Sequence, residues 1–459
     1  MTTEIIGLEF REQELQEWDL EHLWHPFTQM KEWSSQEPLF IVRGEGNYLI
    51  DMHGRPYIDG VSSLWANIHG HGREEINQAI QKQLKQLAHC TLLGLAHPSS
   101  AILARKLIQI SPPGLKWVFY SESGSTAVEI ALKMAFQYWQ NKGNKQKRGF
   151  ICLKEGYHGD TLGSVSVGGI NLFHQIYGPL LFETIKLPCP YLRCKEAGIP
   201  LSEGARLCAS DLEQVLEKRH KEIAAFILEP LIQGAGGMLP SPPGYLRLAR
   251  ELCTRFDVLL IADEVATGFG RTGEMFACQV EGVSPDILCL GKGITGGYLP
   301  LAATICTDDI FQAFWGDYQE LKTFFHGHTY TGNPLACSAA IASLELFEKD
   351  GTLEQLPSKI DQLRSGLAEL EKLEPVGEVR QVGMMAGVEI FEDAKRGEPY
   401  PLEMRMGHKV CMAVRKYGVV LRNLGDTIVI LPPLSITAQE LNQIIKSVEA
   451  AIQEVCGGR

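Results

Sequence analysis

One alternation constrains this chain more than any other feature. Between residues 70 and 330, apolar runs of four to eight residues alternate with longer stretches of helical period. Lys116–Tyr120 (KWVFY) reads as a strand and Thr126–Lys142 as the helix after it. Gly149–Lys154 and Ile223–Glu229 read as strands, and Gly244–Arg255 as a helix. Asp257–Ala262, Asp286–Leu290 and Leu301–Thr307 read as the remaining strands. Such a pattern predicts an α/β fold with a mostly parallel central sheet and helices on both faces. The flanks read differently. Residues 38–60 carry turn signals at Gly44–Gly46 and His53–Gly54 and predict hairpins. After Asn333 the order is helix (334–348), strand (384–390), helix (404–417) and strand (427–431). The expected organisation is a large domain over 71–330 and a smaller α+β domain over 331–459. An N-terminal segment, 1–70, joins the smaller one.

Composition excludes several classes. Of 459 residues, 45% are hydrophobic and 21% charged, which is globular rather than disordered. The net charge of −12 leaves no basic footprint for nucleic acid or an anionic membrane. No window reaches the roughly 18 apolar residues of a membrane span. The acidic N-terminus does not read as a secretory signal. Twelve cysteines are scattered without a C-x-x-C pair, Cys189 and Cys194 coming nearest. They read as reduced buried thiols of a cytoplasmic protein, not as a zinc or disulfide framework.

In an open parallel sheet, ligands sit beyond the carboxyl ends of the strands. Several unusual residues fall there. After KWVFY, Ser121, Ser123, Gly124, Ser125 and Thr126 lead into a helix. They read either as an anion cradle or as ordinary N-capping. After DVLLIA come Asp263 and Glu264, two acids that need partners if buried. After DILCLG comes Lys292 between two glycines: a phosphate ligand, an ion-pair partner or a nucleophile. Tyr157 to Asp160 add an aromatic face and a polar loop at the same edge. Arg271 and Arg422 could each pair with a carboxylate. Two patterns are weaker. Gly291 to Gly296 matches G-x-G-x-x-G, but the next strand follows too soon for the helix a dinucleotide site requires. His69/His71 and His326/His328 have zinc-like H-x-H spacing without a third ligand, and read as turn histidines. Together, an anion cradle, an aromatic face, an acid and a lysine at one sheet edge match the needs of pyridoxal 5′-phosphate (PLP).

The runs DEVATGFGRTG (263–273) and DILCLGKGITGG (286–297) carry a resemblance. So do LWHPFTQM (23–30), DGVSSLWANIHGHG (59–72), KMAFQYW (133–139), GYHGDT (156–161), IQGAGGM (232–238) and HGHTYTGNPLA (326–336). Over residues 20–455 the chain resembles the fold-type I, class III aminotransferases. It is most similar to the branch that converts 8-amino-7-oxononanoate to 7,8-diaminononanoate in biotin synthesis. The resemblance implies PLP as cofactor, no metal, and a cytoplasmic homodimer with shared active sites. Lys292 would bond the cofactor and shuttle the proton, and Asp263 would hold its ring nitrogen. Gly124 and Ser125 would bind its phosphate and Tyr157 would stack on its ring. His328 and Thr329 would reach the phosphate of the neighbouring subunit. Phe27, Leu64, Trp65, Tyr157, Asp160, Arg271, Gly327 and Arg422 would line the substrate site, Arg422 taking a carboxylate. S-adenosyl-L-methionine is the implied donor. The family's adenosylmethionine users carry Tyr and Trp where Phe27 and Leu64 stand, so lysine is the alternative donor. Another ω-amino-acid transamination is the alternative reaction.

Overall fold

The structure, a computed structural model, describes residues 2–5 and 8–457. Met1, Ile6, Gly7, Gly458 and Arg459 lie outside it.

The alternating region builds a seven-stranded sheet. In spatial order its strands are Leu115–Ser121, Ala302–Thr307, Ile287–Leu290, Leu259–Asp263, Ile223–Leu228, Gly149–Leu153 and Ile185–Leu187. The last five pair in parallel. Ala302–Thr307 is antiparallel to both its neighbours. The cause is local: between Leu290 and Ala302 the chain forms only the 3₁₀ turn Lys292–Thr295. With no crossover helix it must return antiparallel. Ile185–Leu187 carries no readable sequence signal, because three residues are too few to show a period.

Helices cover the sheet because its strands are apolar on both faces. Every residue of Ile223–Leu228 is buried. On one face the helix Gly124–Asn141 sets Ala127, Ile130, Ala131 and Met134 in a core with Ile227, Ile261 and Ile287. Each of the larger of these side chains contributes about 1.5–3 kcal/mol by leaving water.

Two four-stranded sheets flank this layer. The expected hairpins form as Ile41–Glu45, Tyr48–Asp51 and Pro56–Asp59, and Val419–Val420 completes their sheet in parallel with the third. Val376–Val382, Met385–Ile390, Thr427–Ile430 and Arg422–Leu424 form the other sheet, all antiparallel. The helix expected over 404–417 is shorter. It runs from Met406 to Val414, with a 3₁₀ turn to Tyr417, and Gly418 at φ +72° ends it. No helix among the described residues is long and apolar enough to cross a membrane.

Candidate active site

The carboxyl ends of Leu115–Ser121, Leu259–Asp263 and Ile287–Leu290 lie at one sheet edge, over a cavity of ≈ 450 Å³. Ser123, Gly124 and Ser125 line one end of it. Ser123 caps the helix Gly124–Asn141, its Oγ accepting from Thr126 N at 3.3 Å. The helix start therefore presents free N–H groups and the positive end of its dipole to the cavity. Gly124 is required by packing: a Cβ there would lie 2.4 Å from Val265 Cγ1. Ser125 Oγ accepts from Thr161 N at 3.0 Å.

The two acids after Ala262 have different work. Glu264 turns away from the cavity and accepts from Ala277 N (2.6 Å) and Cys278 N (2.8 Å), capping the short helix Ala277–Val280. Burial pushes its carboxyl up to about 7. Asp263 faces the cavity. Its Oδ1 accepts from Val265 N at 3.1 Å, and its Oδ2 pairs with His158 Nδ1 at 2.7 Å, both side chains buried.

Lys292 sits at φ +42°, a left-handed conformation that costs a non-glycine residue about 1–3 kcal/mol. Its Nζ lies 4.8 Å from the centre of the Trp65 ring. Burial pulls the ammonium below its ordinary value. Asp263 and Glu229 oppose that shift, while Arg271 and Arg422 add to it. The result is an amine that gives up its proton more readily than a surface lysine.

Sequence reasoning missed two residues here. Glu229 lines the cavity and accepts from Tyr157 N (3.0 Å) and Gly234 N (2.9 Å). Burial pushes it up to about 7. Its signal is present in the sequence, an acid ending an apolar strand, the same signal that marks Asp263. His158 lies within the motif GYHGDT, but nothing in its spacing marks it as the partner of Asp263.

The other expected residues fall into three groups. Tyr157, Asp160 and Trp65 line the cavity, and Tyr157 donates its hydroxyl to Asp160 at 2.7 Å. Asp160 also opens onto a second cavity of ≈ 1180 Å³, where exposed Phe27 meets Phe173 edge-on at 5.4 Å. Leu64 is half exposed beside Trp65. Arg422, at the start of its strand, is set near Tyr157 and Lys292 by its electrostatic coupling to both. Arg271 corrects the expectation of a substrate-facing side chain. It is 1% exposed and donates to the carbonyls of Asn67 and Pro432, each at 2.7 Å. Its charge is occupied in holding backbone. Gly327, His328 and Thr329 are not among the residues that line this cavity, and His328 Nδ1 lies 2.6 Å from Oε2 of Glu122, the residue before the cavity-lining Ser123.

The zinc-like histidines have other partners. His71 pairs with Asp59. His69 is buried, with Nε2 3.1 Å from Ser343 Oγ, and burial lowers it to about 4. Between pH 6.5 and 4 the unfolded chain binds a proton at His69 that the folded chain refuses, so stability falls as pH drops through that window. A His69→Gln variant is expected to flatten the dependence of Tm on pH there by the equivalent of about 3 kcal/mol. An unchanged slope would refute it.

The donor set suits a phosphorylated pyridine aldehyde: a helix start and hydroxyls for a dianion, a buried carboxylate for a ring nitrogen, and an amine for a carbonyl. The chain matches the family described as aminotransferase class-III over residues 29–452. It belongs to that family, and its cofactor is PLP. It is 53% identical over 447 residues to the adenosylmethionine-8-amino-7-oxononanoate aminotransferase of Geobacter sulfurreducens, covering 97% of this chain and 99% of that one. The crystal structure of the enzyme so named from Methanocaldococcus jannaschii superposes with a TM-score of 0.93 at 47% identity, covering 97% and 100% of the two chains. A PLP-bound amine transaminase from an uncultivated Pseudomonas species gives 0.89 at 36% identity, covering 95% and 99%.

Proposed function

We propose that this chain transfers an amino group to 8-amino-7-oxononanoate, giving 7,8-diaminononanoate, with S-adenosyl-L-methionine as donor. The observation that carries it is the convergence of Lys292, the His158-backed Asp263 and the helix start at Gly124 on one cavity. The substrate follows the names of relatives that match end to end. When bound, PLP supplies an electron sink for the carbon that loses or gains the amine. Asp263 would hold a proton at the ring nitrogen, and the 2.7 Å contact with His158 Nδ1 keeps that carboxylate oriented. Lys292 moves the proton between the donor's Cα and the cofactor's C4′. Ser125 and the first-turn N–H groups bind the phosphate, and Tyr157 covers the ring. Arg422, whose guanidinium has no hydrogen-bond or ion-pair partner among the described residues, takes the substrate carboxylate. A direct test is conversion of 8-amino-7-oxononanoate by purified enzyme; no product with any donor would refute the reading.

Phe27 and Leu64 bear on the donor. Neither offers the hydroxyl or indole that the family's adenosylmethionine users place there, at a cost of about 1 kcal/mol each in donor binding. Phe27→Tyr with Leu64→Trp is expected to raise the adenosylmethionine-to-lysine ratio of half-reaction rates roughly ten- to thirtyfold. A ratio that does not move would show that these positions do not read the donor.

We further propose a cytoplasmic homodimer in which His328 and Thr329 complete the neighbour's phosphate site. That they do not line the cavity of their own chain supports this. Dilution to monomer is then expected to release cofactor, followed by gel filtration with absorbance detection. A monomer that keeps its cofactor would refute the shared site.

A further inference from the structure

The block DGVSSLWANIHGHG has a job that contact with cofactor or substrate does not explain. Three of its non-glycine residues, Ser62, Ser63 and Trp65, sit at φ +53°, +60° and +64°. Such a path persists only where its surroundings over-determine it. Trp65 is also the residue that walls the cavity beside Lys292. What fixes the path is a buried chain of hydrogen bonds. Asp59, fully buried, accepts from Ser63 N at 2.9 and 2.7 Å through its two oxygens, and from His71 Nε2 at 2.9 Å. Asn67 accepts from Gly70 N at 2.7 Å through its oxygen, which turns its amide nitrogen towards His71 Nδ1 at 3.1 Å. The hydrogen-bond pattern therefore assigns the tautomer: Nδ1 accepts, so Nε2 carries the proton and donates to Asp59. Glycine makes the room. A Cβ on Gly44 would lie 2.6 Å from His71 Cβ, and one on Gly297, just past Lys292, would lie 3.0 Å from Asn67 Cα.

We propose that His71 is a positioning residue for the transamination site: its Nε2–H fixes Asp59, and Asp59 fixes the left-handed loop that sets Trp65 against Lys292. Neither His71 nor Asp59 lines the cavity, so the effect passes through Trp65. Gln at 71 keeps a donor where Nε2 stands. Asn keeps only an acceptor where Nδ1 stands, and Leu keeps neither.

The inference rests on the transaminase reading for its kinetic arm, but its exchange arm does not. In apoprotein, amide hydrogen exchange across residues 60–67 is expected to speed up about tenfold or more in His71→Leu and His71→Asn, and to stay near wild type in His71→Gln. In holoenzyme, His71→Leu should raise the donor KM about tenfold with kcat within about threefold, and Gln should restore it. Unchanged exchange in the Leu variant, or kcat and KM failing together with Tm, would overturn the proposal. If His71→Leu does not fold, Asn67→Ala decides. It removes the amide that orients His71, and should raise exchange in 60–67 about threefold or more; no rise overturns the proposal. A wild-type enzyme that shows no donor-dependent change in its visible band would sink the transaminase reading instead, leaving the exchange result to judge the loop.

Discussion

Lys292→Ala is expected to yield a folded protein whose transaminase turnover has fallen by at least about 10⁴-fold. Two losses combine. On the proposed reading, the amine that would bond the cofactor is gone, and so is the group that would move a proton between two carbons. Ala cannot substitute for either, and no other described lysine lines the cavity. Stability should change little. Ala at φ +42° is as strained as Lys, so the backbone term cancels between the two proteins. Removing an ammonium that burial disfavours offsets the loss of its attraction to the face of the Trp65 ring. The measurement is steady-state turnover beside a thermal melt. A variant within about a hundredfold of wild type would place the proton transfer on another group. Added small primary amines should recover part of the rate, since they can reach a cavity that the missing side chain vacates.

The fold was legible where burial writes itself into composition. Ile223–Leu228 is buried on both faces and reads as one apolar run; Ile185–Leu187 is an edge strand of three residues with Lys186 exposed, and no pattern survives at that length. The return strand Ala302–Thr307 was legible in position, and its direction follows from the missing crossover helix. Within the site, residue type announced Lys292 and the acid pair. The division of labour between Asp263 and Glu264 was illegible. It depends on where His158, 105 residues before Asp263, and Cys278, 14 residues after Glu264, come to rest. Arg271 shows the same limit in reverse. An arginine beside a site motif suggests a substrate carboxylate, yet its partners are backbone carbonyls that no sequence pattern reveals. His69 and His71, two residues apart, have unrelated partners, Ser343 and Asp59, because the turn between them sends one into a helix interface and the other against a strand end.

The second large effect is expected at Asp263. Asn is nearly isosteric and cannot carry the charge that, on the proposed reading, would keep a proton on the ring nitrogen. Loss of that charge beside the ring should lower kcat/KM by about 10²–10³-fold, roughly 3–4 kcal/mol of transition-state stabilisation. The structure adds a cost that charge alone would not give. Asp263 now accepts from Val265 N with one oxygen and from His158 with the other. Asn can accept with only one, so one buried N–H loses its acceptor whichever way the amide turns. That should destabilise the apoprotein by about 1–3 kcal/mol. Asp263→Glu separates the two terms: it keeps the charge but displaces it by one methylene. It should therefore retain more catalysis than Asn while disturbing the His158 contact at least as much. The measurements are kcat/KM and Tm for both variants. Asp263→Asn with a rate within about tenfold of wild type would mean that the ring proton is held elsewhere. A fall in Tm with no fall in rate would reduce Asp263 to a partner of His158.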